Sequence, residues 1–139
     1  VGSLLSADTG LFDDLDLLPG RIFINIGLES ADQSTLDILE KPLLAADVAA
    51  AFSKIQSINK RCSSVEVTAN FVTDPELPDN HYRTMLELIR DQVGTPRDKG
   101  CIYLSQLRFD DPSRARLFDF YKLKRLSRLP LFMYTIQRL

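Results

Sequence analysis

The chain is poor in the residues that build metal centres and crosslinks. It holds two cysteines, Cys62 and Cys101, 39 positions apart, and a single histidine, His81, far from both. No Cys-x-x-Cys occurs. A zinc site takes about four ligands and a cubane cluster at least about three thiolates. Neither can be assembled from these residues, so no metal ligand is expected in the chain. Cys101 opens the apolar run Cys101-Ile102-Tyr103-Leu104 and reads as a small core residue. No apolar run approaches the ~20 residues that cross a bilayer, and no membrane partner is expected. No basic stretch leads into an apolar one near the start, so a secretory signal is not visible. Two thiols without such a signal favour the cytoplasm. Fixed repeats and low-complexity linkers are absent too, so residues 1–139 read as one domain. The first residue is Val1 rather than methionine, as expected of a piece trimmed or cut from a longer chain.

What is present is ordinary in amount and uneven in place. The 139 residues are 45% hydrophobic and 26% charged, enough for one sizeable core. Residues 1–40 carry eight acidic side chains against Arg21 alone. Residues 112–139 carry seven basic ones against Asp119 alone. The basic end reads first as a solvated helix face, and second as a surface for nucleic acid or an acidic partner. Nucleic acid is disfavoured, because no aromatic platform for stacking bases is read among those charges.

Strand and helix patterns alternate. Residues 1–20 are mixed, with a short helix or loop over 13–18 and a turn at Pro19-Gly20. Strands are expected at about 22–26, 65–72 and 101–107, with a last strand or an extended tail at 131–136. Asp32 is placed to cap a short helix that Lys41-Pro42 breaks. Val48, Phe52, Ile55 and Ile58 give residues 45–60 one apolar helical side. Asp79 is expected to cap the next helix, with Tyr82, Leu86 and Ile89 as its stripe and His81 on the surface. Asp111-Pro112 marks the start of the last helix. Helices between strands imply right-handed crossovers and a parallel sheet, hence an α/β fold.

The carboxyl ends of parallel strands share one rim, where α/β proteins place their sites. On that rim the sequence offers Glu29 and Ser30 after the first strand and Lys41 twelve residues beyond the glutamate. The second strand offers Thr68 and Asn70, then Thr73 and Asp74, and the third offers Ser105 and Gln106. Each has a plain alternative. Glu29 could serve a helix cap or meet a lysine on the surface, Lys41 could be solvated, and Asn70 could satisfy buried backbone groups.

The run Phe23-Ile-Asn-Ile-Gly-Leu-Glu-Ser30, followed by Leu36-Asp-Ile-Leu-Glu-Lys-Pro42, resembles the fourth strand and following helix of radical S-adenosylmethionine (SAM) enzymes. Residues 65–75 resemble their fifth strand and 101–107 their sixth. The resemblance implies three to four parallel β/α units, half of a partial TIM-type barrel. It implies a cofactor site in which Glu29 and Ser30 lie beside the methionine and ribose parts of SAM. Lys41 would pair with its carboxylate and Asn70 lie near its ribose or methionine part. It also implies a [4Fe-4S] cluster held by a Cys-x3-Cys-x2-Cys loop after the first strand, and that loop is absent here. The expectation is therefore the carboxyl-terminal half of a radical SAM core. The full-length parent would be the enzyme. This chain would contribute no catalytic residue and no cluster ligand, would bind no cofactor alone and would be inactive. Its partner would be the missing amino-terminal half of the barrel, or a second copy joined through the open edge of the first strand. The alternatives are a non-catalytic α/β protein-interaction module and, less well placed, a Schiff-base enzyme using Lys41.

Overall fold

β-Branched and aromatic residues recur in four short segments, and each is a strand. The computed structural model describes residues 1–94, 99–108 and 114–134. Its elements run α1 (Gly2–Ser6), α2 (Thr9–Asp16), β1 (Ile22–Glu29), α3 (Gln33–Ile38), α4 (Ala45–Arg61), β2 (Val65–Thr73), α5 (Asp79–Gln92), β3 (Ile102–Gln106), α6 (Arg114–Leu126) and β4 (Leu131–Tyr134). The strands pair in the order β1-β2-β3-β4, and every pair is parallel. The fold is thus α/β with an open, four-stranded parallel sheet. Among the described residues β1 and β4 are its edges, and the sheet does not close into a barrel.

Several boundaries differ from expectation for local reasons. β1 runs on to Glu29, because Gly27 still pairs with Asn70 and, past a register shift, Glu29 pairs with Phe71. Residues 1–16 hold two helices, the second capped by Asp8, whose carboxylate accepts from the Gly10 amide at 3.0 Å. Asp79 is the first residue of α5 rather than its cap; Pro78 holds the cap position and offers no side-chain hydrogen bond. The buried stripe of α5 is His81, Met85 and Ile89, all at 0% exposure, one residue back from the expected Tyr82 and Leu86. His81 is therefore interior, not a surface residue. Residues 111–112 and 135–136 lie outside the described residues. On α6, Phe118 and Tyr121 stand exposed among Lys122, Lys124 and Arg125, so aromatic rings do interleave with the basic charges. No helix of the described residues is long and apolar enough to cross a membrane.

Strand alternation sorts the sheet into two unlike faces. Ile22, Ile24 and Ile26 of β1 point with Val65, Val67, Ala69 and Phe71 of β2, Ile102 and Leu104 of β3 and Leu131 of β4 into one core. Val48, Phe52 and Ile55 of α4 and Met85 and Ile89 of α5 pack on it from the helix side. The other face carries Phe23, Asn25 and Gly27, then Glu66, Thr68 and Asn70, then Tyr103 and Ser105, then Phe132 and Tyr134. Phe23 on that face is 65% exposed.

The amino ends of the strands are sealed. The Asp16 carboxylate accepts from the backbone amides of Ser63, Ser64 and Val65 at 3.0, 2.5 and 3.1 Å. Lys99 Nζ donates to the carbonyls of Cys62 and Val65 at 2.5 and 2.7 Å. Phe12 of α2 is buried against the same end, where its carbonyl accepts from the Cys62 thiol at 3.6 Å. Glu29, Asn70 and Ser105 lie toward the opposite, carboxyl end.

Candidate functional site

Glu29 owes its position to two local devices. The Ser30 amide donates to the Leu28 carbonyl at 2.8 Å, which makes Glu29 the centre of a three-residue turn. Its φ is 66°, the left-handed region that non-glycine residues avoid. The side chain then folds back over Gly27. A Cβ on Gly27 would lie only 3.0 Å from Glu29 Oε1. The absence of a side chain at residue 27 is what lets the carboxylate rest on the uncovered face, next to Asn70 on the neighbouring strand. Alternation along β1 thus keeps Asn25, Gly27 and Glu29 on the same side of the sheet despite the register shift between Gly27 and Glu29.

Lys41 is placed by the end of α3. The Lys41 amide donates to the Leu36 carbonyl and the Glu40 amide to the Asp37 carbonyl, each at 3.0 Å. This is the paired Schellman closure, with Glu40 at the left-handed position, φ 53°. Pro42 follows, and the Leu43 amide donates back to the Lys41 carbonyl at 2.8 Å. The chain reverses so that Lys41 Nζ stands 3.7 Å from Glu29 Oε2, the side chains 41% and 24% exposed. A pair so open to water contributes only ~0–1 kcal/mol to stability. Its two charges are thus free to exchange each other for a ligand's charges.

Polar and aromatic groups continue across the face. Ser105 Oγ donates to Asn70 Oδ1 at 2.9 Å, leaving the Asn70 amide nitrogen free among the described residues. Tyr103 stacks on Tyr134 with centroids 4.7 Å apart and planes 13° apart, and on its other flank meets Phe132 at 5.7 Å. Asn25 Nδ2 donates to the Tyr134 hydroxyl at 3.2 Å, joining the two edge strands over the face. Thr68 lies deeper and donates to the Ile24 carbonyl at 3.3 Å.

Ser30 is fully buried. Its hydroxyl accepts from the Asp32 amide at 3.0 Å and bonds His81 Nδ1 at 2.8 Å. His81 Nε2 lies 2.9 Å from the Val72 carbonyl, which can only accept, so Nε2 carries the proton and Ser30 donates to Nδ1. Burial holds the His81 pKa below its ordinary value, although the Val72 carbonyl and the Asp32 charge favour its protonation. Asp32 caps α3, accepting from the Thr35 amide at 2.9 Å and the Thr35 hydroxyl at 2.7 Å, and takes a further bond from Asn80. Burial pushes its carboxyl up, but bonds from Ser34, Thr35 and Asn80 outweigh that and hold it below the usual range. Ser30 therefore faces protein, not ligand, and its part is to hold the turn. A Ser–His pair sealed this way has no access to a substrate carbonyl.

Thr73, Asp74 and Gln106 also leave the group. Thr73 Oγ1 is 3.1 Å from the Tyr82 hydroxyl, which donates to the Asp74 carbonyl at 2.9 Å. Gln106 Nε2 donates to Met133 Sδ at 3.2 Å. All three line a cavity of about 480 Å³ on the helix-covered side, walled by Leu86, Leu104, Leu123 and Met133. The structure thus brings together Glu29, Lys41, Asn70 and Ser105, and adds Asn25, Tyr103 and Tyr134, which sequence reading missed. The period-two alternation of residues 103 and 105 and of 132 and 134 carried that signal.

Among the described residues no group of three or more His, Cys, Asp or Glu is placed to hold a metal ion. Cys62 and Cys101 are both buried just before β2 and β3, at the sealed end of the sheet. They do not fit an iron–sulfur cluster beside Glu29. Compared with protein-family models, with curated proteins and with solved structures, the chain matches none.

Proposed function

We propose that this chain is the carboxyl-terminal half of a radical SAM enzyme core, and that Glu29, Lys41 and Asn70 hold the SAM cofactor. The observation that carries this reading is the Glu29–Lys41 pair, hung over Gly27 at the carboxyl end of β1. An amino acid zwitterion matches such a pair: Lys41 takes the carboxylate and Glu29 the ammonium. The Asn70 amide nitrogen, one strand over and without a partner among the described residues, suits a ribose hydroxyl.

The shape of the sheet supports the barrel part of the proposal. Consecutive strand order with right-handed crossovers puts every connecting helix on one face, as in singly wound barrels. The uncovered face is then the barrel interior. By register, Tyr134 sits four residues further along its strand than Asn25 does on β1. In a flat sheet those positions would be ~19 Å apart, from three strand spacings and four residue rises. The two side chains and their bond reach only about 13 Å with standard bond lengths. The sheet is therefore coiled across that diagonal, as twisted parallel sheets are, and such a curvature is compatible with a barrel wall.

The cysteines of this chain do not fit a cluster, so in this reading the [4Fe-4S] ligands belong to the missing amino-terminal half and no chemical step is assigned to this chain. Its share is to bind and orient the cofactor. The upstream coding sequence tests the proposal directly. A Cys-x3-Cys-x2-Cys about 80–150 residues before Val1, the length of a missing half barrel, is expected. Its absence sinks the reading.

A second reading, a non-catalytic interaction module, is favoured by one observation: among the described residues β1 is an unpaired edge, and its Phe23 is exposed. Such an edge accepts another strand. The chain on its own is expected to form a homodimer through β1, measured by light scattering, with Phe23→Lys returning it to monomer. A wild-type monomer at high concentration would count against this.

A further inference from the structure

Resting on the cofactor site just proposed, the geometry points to His81 as a positioning residue for Glu29. It is the only histidine in the chain, and its ring nitrogens bond Ser30 and Val72 rather than Glu29 or Lys41. It works through the turn. Two bonds converge on the Ser30 hydroxyl, which sits directly after the left-handed residue Glu29. That hydroxyl has one proton and uses it on His81 Nδ1. It accepts from the Asp32 amide and so fixes the start of α3, the helix whose far end presents Lys41. His81 in turn spends its Nε2 proton on Val72, near the carboxyl end of β2. One neutral ring therefore ties together the ends of β1 and β2, the first turn of α5 and the cap of α3.

The link is directional, and only the neutral ring with its proton on Nε2 completes it. If Nδ1 also gains a proton, the Ser30 proton has no acceptor. The turn then has to open or Ser30 has to rotate, and Glu29 follows, because its strained φ depends on that closure. Asp32, from the α3 cap, is the charged group acting on the ring, and the Tyr82 ring meets its edge at 4.7 Å.

Two substitutions separate the halves of the link. His81→Asn keeps an oxygen where Nδ1 was, so Ser30 retains its acceptor and Val72 loses its donor. His81→Gln reaches Val72 with its amide nitrogen and leaves Ser30 without an acceptor. Both remove one buried bond, and both are expected to lower the melting temperature alike. They are expected to differ at the site. In the natural full-length protein, SAM affinity should stay within about threefold in His81→Asn and fall about tenfold or more in His81→Gln, the loss of one buried hydrogen bond. In the ligand-free 139-residue chain, the carboxyl carbon resonance of Glu29 should move in His81→Gln and hold in His81→Asn.

The two readouts keep the proposals apart. If no SAM binds to any full-length form but the Glu29 resonance follows this pattern, the family reading falls and the positioning role stands. If SAM binds and both variants behave alike, His81 is only a core residue and the inference is overturned. Should His81→Gln fail to fold, Ser30→Ala removes the same hydroxyl and is expected to shift Glu29 in the same way; an unmoved Glu29 there overturns it too.

Discussion

Gly27 is the position where stability and function are expected to separate most cleanly. A Cβ there would meet Glu29 Oε1 at 3.0 Å and Glu29 Cδ at 4.0 Å, with no other atom within 4 Å. The crowding therefore falls on the far end of a flexible side chain, not on backbone. Glycine in a strand costs ~0.5–1 kcal/mol relative to alanine, and valine adds strand preference within a scale of ~1 kcal/mol. Against that stands the half-exposed Glu29–Lys41 pair at ~0–1 kcal/mol. Gly27→Ala and Gly27→Val should then leave global stability within about 1 kcal/mol of the parent, in either direction. Ligand binding is different. A hydrogen bond to a charged group contributes ~1.5–3 kcal/mol, and each ~1.4 kcal/mol is tenfold. Alanine requires the carboxylate to shift a few tenths of an ångström, while the branched valine occupies its place. If the proposed cofactor site is right, SAM affinity in the full-length parent should fall in the order Gly, Ala, Val, with Val ~10–100-fold weaker. Calorimetric titration beside a thermal melt reads both quantities. Valine binding as tightly as glycine, or affinity falling only in step with melting temperature, would refute the claim that residue 27 is bare to seat Glu29.

Two further outcomes follow from the same end of the sheet. Glu40→Gly places at the left-handed Schellman position the residue that fits it, and should raise stability by about 1 kcal/mol, a melting shift of ~3–5 °C; no shift would mean that φ at residue 40 relaxes in solution. His81 binds its proton less readily when folded than when unfolded, because burial disfavours the charged ring. Its contribution is therefore whole above pH ~6.5 and lost as pH falls from there to the lower folded-state value. Urea melts at stepped pH should show that slope in the parent chain and none in His81→Asn.

The legible parts of this molecule are those set within a few residues. Residues 22–26, 65–72 and 101–107 announce strands through branched and aromatic side chains. Glu29 and Lys41 were readable as members of one rim because Gly27 and Lys41-Pro42 are local punctuation on either side of a short helix. His81 was missed because one polar side chain at a helix start reads as solvated, yet positions 81, 85 and 89 repeat at the spacing of a buried helical face. The burial of Ser30 follows from His81 and was hidden with it. Asn25, Tyr103 and Tyr134 meet through strand register and sheet coiling, which no local window contains.

The distribution of backbone strain gives a reason to regard the carboxyl end as a site independent of any family. Four described residues have positive φ: Gly20, Gly100, Glu29 and Glu40. The glycines precede β1 and β3, at the sealed end, where the turn is made at no steric cost. At the open end both positions are glutamates, and a left-handed L-residue costs roughly 1–2 kcal/mol each. Glycine would fit either turn better, but at residue 29 it would remove the carboxylate that the Gly27 notch receives. Strain is relieved where the sheet only needs closing and retained where it presents Glu29 to Lys41. That pattern is expected of a binding site and is costly for a purely structural rim.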